Sequence, residues 1–83
     1  MKKEDFFFKN LSAIILLHRK KSGLTREKLA TLAGISRSSI FDLEHEKKTI
    51  QLDTLLKVLS VLNISIDLSS PLTKLTKSKD SIK

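Results

Sequence analysis

The sequence predicts a mainly α-helical fold, a helix-turn-helix bundle of four to five helices followed by one short C-terminal strand that pairs across a homodimer. Three observations predict it. Leu24–Ile40 holds two short helical patterns separated by Gly34; two further segments, Leu11–Ser22 and Leu52–Leu62, repeat apolar residues at helical spacing; and Ile64-Ser65-Ile66-Asp67-Leu68 alternates apolar with polar.

The first helix is expected from about Lys9 or Asn10 to Ser22, stopped by Gly23, with Leu11, Ile14, Ile15 and His18 as its buried stripe. Leu16 and Leu17 lie outside that stripe; they either widen the buried face or belong to a partner surface. Thr25 is placed to cap a second helix, about Arg26–Ala33, that turns Leu29, Ala30 and Ala33 inward and ends at the left-handed Gly34. Ser36 caps a third, about Arg37–His45, with Ile40 and Leu43 facing the core. The small Ala30 permits the two helices to cross closely, as they must if the second is to be held in a major groove. In the last helix Leu52, Leu55, Leu56, Leu59 and Leu62 share a face, Val58 and Val61 make it apolar nearly all round, and Asn63 stops it. So apolar a helix calls for a cover, most simply a second copy of the chain.

A lone strand cannot satisfy its backbone, so Ile64, Ile66 and Leu68 are expected in a dimer interface, paired with the same strand of another subunit unless Asp5–Phe8 supplies the partner. Pro71 closes the folded region. Residues 1–68 then form one DNA-binding and dimerisation domain, and residues 69–83, rich in Lys, Ser and Thr, form a flexible basic tail.

Charge points to the class of partner. A net charge of +7 favours a polyanion, nucleic acid before an acidic membrane surface. Residues 19–48 carry eight basic residues against four acidic ones and residues 69–83 four against one, so the excess divides as +4 on the helix-turn-helix segment and +3 on the tail. The absence of cysteine excludes a disulfide framework and thiolate metal sites and agrees with a reducing cytosol. Phe6-Phe7-Phe8 is too short for a secretory h-region, and no apolar run reaches the roughly 20 residues of a membrane span, so a cytoplasmic, nucleoid-associated protein is expected.

Arg19, Gly23-Leu24-Thr25, Leu29-Ala30, Gly34-Ile35-Ser36, Ile40, Leu43-Glu44 and Leu52–Leu59 together resemble the Cro/C1-type (XRE) helix-turn-helix domain, with its lambda-repressor-like bundle, over about Leu11–Asn63. The short strand directly after the last helix is similar to the HipB-like antitoxins. That resemblance implies a repressor that docks a HipA-like Ser/Thr kinase toxin, or an associated small toxin-system protein, and regulates their operon by binding double-stranded DNA at a palindromic operator.

By matching position it also implies residue roles. Arg19 and Glu44 would form an internal ion pair that fixes the third helix against the first. Ser36, Arg37, Ser38 and Asp42 would face base edges, Arg37 with a fork suited to guanine O6 and N7, and Asp42 either accepting from a cytosine amine or steering Arg37. Arg26 stands where the family commonly has a phosphate-contacting glutamine; Lys47 and Lys48 match backbone-contacting loop positions, and Ser39 meets either a phosphate or its own helix. Phe41 either packs on thymine methyls or covers the core. Two departures stand out: Glu46 replaces the usual glycine after the third helix, and His18 replaces an apolar residue and is expected to be partly buried.

Catalysis finds no support. His18 and His45 are far apart in sequence, no glycine-rich phosphate loop exists, and the Ser36, Ser38, Ser39 group lacks a general base at a useful spacing, so neither a metal nor a cofactor is expected. The rival reading is a protein-docking scaffold in which Phe6–Phe8, Leu16, Leu17 and the basic tail hold a partner and DNA contact is secondary. A free-standing phage-type repressor is a third.

Overall fold

One residue from each of four helices meets at the centre of the fold: Ile15, Leu29, Ile40 and Val58 are fully excluded from solvent. The structure is a computed structural model that describes residues 3–67. Its helices are α1 (Lys3–Lys21), α2 (Arg26–Ala33), α3 (Arg37–Glu44) and α4 (Leu52–Val61). Ala30, Leu43, Leu55, Leu59 and Leu62 complete the core, with Leu11, Leu24, Ile35, Ile50 and Ile64 packed against it. Ala30 is 5% exposed on α2, where α2 and α3 pack together.

α1 begins at Lys3, well before the Lys9 or Asn10 expected, and takes in Phe6–Phe8, so Asp5–Phe8 pairs with no strand. Neither proline nor glycine interrupts these residues, and Glu4 and Asp5 place negative charge in the first turn, where it complements the helix dipole. The buried stripe of α1 also differs from the expected one. Ser12, Ile15 and Arg19 are buried, whereas Ile14 and His18 are exposed. His18 is therefore not the partly buried residue expected; its Nδ1 lies 2.9 Å from the Ile14 carbonyl on the outer face. An apolar-periodicity reading could not select this stripe, because two of its three members are polar.

On α4, Leu55, Val58 and Leu59 point inward while Leu52 is 66% and Leu56 47% exposed. The apolar ring expected around this helix therefore splits into a core face and an open face. Among the described residues there is no strand: Ile64–Asp67 form no ladder within one chain, and Leu68 and the expected tail lie outside the described residues.

Each helix ends in a left-handed residue followed by a backward hydrogen bond. After α1, Leu24 N–H donates to Arg19 O at 3.1 Å around Gly23; after α2, Ile35 donates to Ala30 at 3.0 Å around Gly34; after α4, Ile64 donates to Leu59 at 2.9 Å around Asn63. After α3 the left-handed residue is Glu46, with φ +61°. Lys47 N–H donates to Asp42 O at 3.2 Å there, and the Ser12 hydroxyl from α1 enters the cap. It donates to Leu43 O at 2.6 Å and accepts from Glu46 N–H at 2.9 Å, so α1 holds the end of α3. A side chain at positive φ costs on the order of 1 kcal/mol that glycine avoids. Glu46→Gly is therefore expected to raise the denaturant midpoint, by about 1 kcal/mol of stability; an unchanged or lowered midpoint would show that the Glu46 side chain stabilises this turn.

Candidate nucleic-acid interface

The α2–α3 pair starts from two side-chain caps. Thr25 Oγ1 accepts from Lys28 N–H at 3.0 Å and Ser36 Oγ from Ser39 N–H at 3.1 Å, each satisfying an amide that a helix start leaves free. The Ser36 hydroxyl also lies 2.9 Å from Ser39 Oγ and 3.3 Å from Ser38 Oγ, which gathers three hydroxyls at the start of α3.

Behind this surface one carboxylate joins three helices. Glu44 at the end of α3 has a fully buried side chain and receives Arg19 Nε of α1 at 2.6 Å, Arg19 Nη2 at 3.2 Å and Arg26 Nε of α2 at 2.9 Å. Arg19 Nη1 donates to Leu24 O at 2.8 Å, so the same guanidinium also holds the α1–α2 turn. The fork-on-carboxylate geometry fixes orientation as well as distance. Among the described residues no buried side-chain nitrogen or oxygen lacks a partner.

In front, Thr25, Arg26, Glu27, Arg37, Ser38 and Phe41 line an open groove of about 630 Å³ with Arg19 at its base. Arg37 and Phe41, four residues apart, share one face of α3. Among the described residues Arg37 enters no ion pair. Arg26, besides holding Glu44, sets its guanidinium carbon 5.5 Å from the Phe41 ring centroid. Phe41 neither joins the core nor stands free; it is 48% exposed and stacks on His45, with centroids 3.8 Å apart and planes 18° apart. The Phe41 carbonyl and His45 Nδ1 are 2.7 Å apart.

The remaining residues singled out in the sequence are spread around this groove. Asp42 meets Lys47 Nζ at 3.3 Å. Lys48 pairs with Asp5 of α1 and stands on a second, apolar concavity of about 610 Å³ lined by Phe7, Phe8, Ile50, Leu52, Leu55, Leu56 and Ile66. Ile64 packs on the core and Ile66 lines that concavity, while Leu68 lies outside the described residues.

Two contributors carry little or no signal in the sequence. The Arg26–Glu44 pair spans 18 positions, so no local pattern announces it. Ser12 carried a faint signal, a lone hydroxyl in an apolar run one turn before Ile15. Among the described residues no group of three or more His, Cys, Asp or Glu could hold a metal, and no helix is long and apolar enough to cross a membrane.

A family model described as helix-turn-helix matches residues 15–69. The chain is 37% identical over 62 residues to an uncharacterized HTH-type transcriptional regulator, y4mF, of Sinorhizobium fredii, which covers 75% of this chain and 82% of that one. Two solved structures are similar in fold: the MDT protein and a chain of a HipA–HipB–O2–O3 complex. Each has a TM-score of 0.70 and 28% identity, and covers 77% of this chain and 90% of its own.

Proposed function

The chain belongs to the helix-turn-helix family and is a DNA-binding transcriptional regulator, not an enzyme; from that premise we propose that it is a homodimeric repressor of its own operon, reading a palindromic operator and docking a HipA-like kinase. One observation carries the proposal. The inner side of α3 is pinned by Glu44 and Leu43 to Arg19 and Ser12, while its outer side opens on a groove bearing Arg26 and Arg37. A helix held rigidly on one side and charged on the other suits a surface that must meet base edges in a fixed register.

In this reading Ser36, Arg37, Ser38 and Asp42 face bases, Arg37 with a bidentate contact to guanine. Arg26, Ser39, Lys47 and Lys48 contact the backbone, with Lys48 leaving Asp5 to do so. Two α3 helices would stand about 34 Å apart on one face of the duplex. The open face of α4 and the Phe7–Ile66 concavity support a second copy of the chain as their cover, with Ile64, Ile66 and Leu68 pairing across the two-fold. Similarity to a chain of the HipA–HipB–O2–O3 complex supports a HipA-like partner.

A reporter driven by the gene's own upstream region tests the repressor role. Supplying the full chain is expected to lower reporter output, and truncation after Asn63 to restore it, with a shift from dimer to monomer in sedimentation. Unchanged output with the full chain would contradict repression, and an unchanged dimer after truncation would contradict the strand pairing.

A further inference from the structure

The face of α3 that lines the groove carries an aromatic ring, which a purely polar, phosphate-contacting surface has no use for. Phe41 lies half-exposed beside Arg37 and Ser38 rather than in the core. Two side chains flank its ring. His45 stacks against it at 3.8 Å between centroids, and Arg26, itself held at 2.9 Å by the buried Glu44, sets its guanidinium 5.5 Å from the ring centre. A ring already packed against a neighbour before any ligand arrives has less freedom left to lose on binding an apolar group.

The chemistry of the opposing surface is narrow. Base edges in the major groove offer hydrogen-bond donors and acceptors, with one apolar feature, the 5-methyl group of thymine. We infer that Phe41 is a specificity-determining residue that packs on a thymine methyl in each half-site. The inference rests on α3 being the groove-reading helix.

The register follows from helix geometry. Phe41 lies four residues after Arg37, about 6 Å along the axis, and base pairs rise by about 3.4 Å. The thymine therefore falls within about two base pairs of the guanine read by Arg37. Arg26 thereby stands in two places, joining α2 to Glu44 and setting its cation near the ring that selects thymine. A lysine at position 26, with neither a planar fork nor a flat face, would do neither well.

The test replaces thymines by deoxyuridine, one at a time, in a duplex carrying the gene's own upstream region, and measures binding of the full chain by fluorescence anisotropy. The substitution removes the methyl and leaves base pairing and O4 in place. At one thymine per half-site the wild-type chain is expected to lose about fourfold in affinity, the value of one buried methyl-sized group. Phe41→Ala, with its helix content checked by circular dichroism, is expected to bind the thymine and uracil duplexes equally, and Phe41→Leu to keep part of the preference. A selectively bound duplex with no sensitive thymine would overturn the role of Phe41 alone, as would a methyl preference that persists in Phe41→Ala. Wild-type binding no tighter to this duplex than to a scrambled one would overturn the groove-reading premise as well. The wild-type scan can refute the role with no variant, and Phe41→Leu, which keeps an apolar side chain, makes the assignment to Phe41 should Phe41→Ala fail to fold.

Discussion

Glu44→Ala is expected to destabilise the fold by about 3–5 kcal/mol, because it leaves Arg19 buried with no countercharge. Small domains are stable by only about 5–15 kcal/mol, so this single change removes a large part of the total. The Arg19 side chain is 9% exposed and cannot recover its hydration without moving α1. Arg26, at 38%, can turn outward and rehydrate, and contributes less to the loss. The loss is therefore conditional on one partner being left behind. Arg19→Met combined with Glu44→Leu removes both charges and is expected to recover most of the stability. Urea denaturation of the two single variants and the double variant measures the coupling. A Glu44→Ala chain within about 0.5 kcal/mol of wild type would show that the pair is screened by water and does not hold α3.

Arg37→Ala carries the largest expected effect on binding. A bidentate contact to guanine discriminates by about 1–3 kcal/mol, and the proposed homodimer on a palindrome would make it twice, so on that reading the operator affinity is expected to fall by about 2–6 kcal/mol. Preference at the contacted base pair should relax in the same variant. Binding to scrambled DNA should weaken far less, since only one cation per chain is lost. Arg37→Lys would not rescue, because an ammonium cannot reproduce the planar fork. Anisotropy titrations of both variants on operator and scrambled duplexes separate base reading from charge; equal losses on the two duplexes would assign Arg37 to the backbone instead.

What was legible in the sequence was local. Thr25, Gly34 and Ser36 signal their caps within three or four residues, and α2, the turn and α3 lie where those signals put them. The start of α1 was harder to place because Phe6–Phe8 fits helix and strand alike, and only the absence of a breaker lets the helix run back to Lys3. Apolar spacing assigns Ile14 and His18 to the buried stripe of α1, and the structure differs because a buried serine and arginine serve long-range hydrogen bonds there. Glu46 shows the same limit. Family resemblance marks the position as one where glycine is usual, but that its left-handed turn is met by Ser12, 34 positions away, no neighbouring residue signals. The Arg19–Glu44 pair is implied by family resemblance; that Arg26 shares the same carboxylate, with its guanidinium 5.5 Å from the Phe41 ring centre, follows only from the packing of α2 on α3.

The most direct measurement is a competition titration of the full chain against two duplexes of equal length, the gene's own upstream region and a scrambled copy, at roughly 150 mM salt. Specific regulators typically favour their sites by about a thousandfold or more over random DNA, and a preference of at least about a hundredfold is expected here. Equal, weak and steeply salt-dependent binding to both would contradict operator reading by α3, reduce the +7 charge to generic attraction, and leave the apolar concavity as the functional surface.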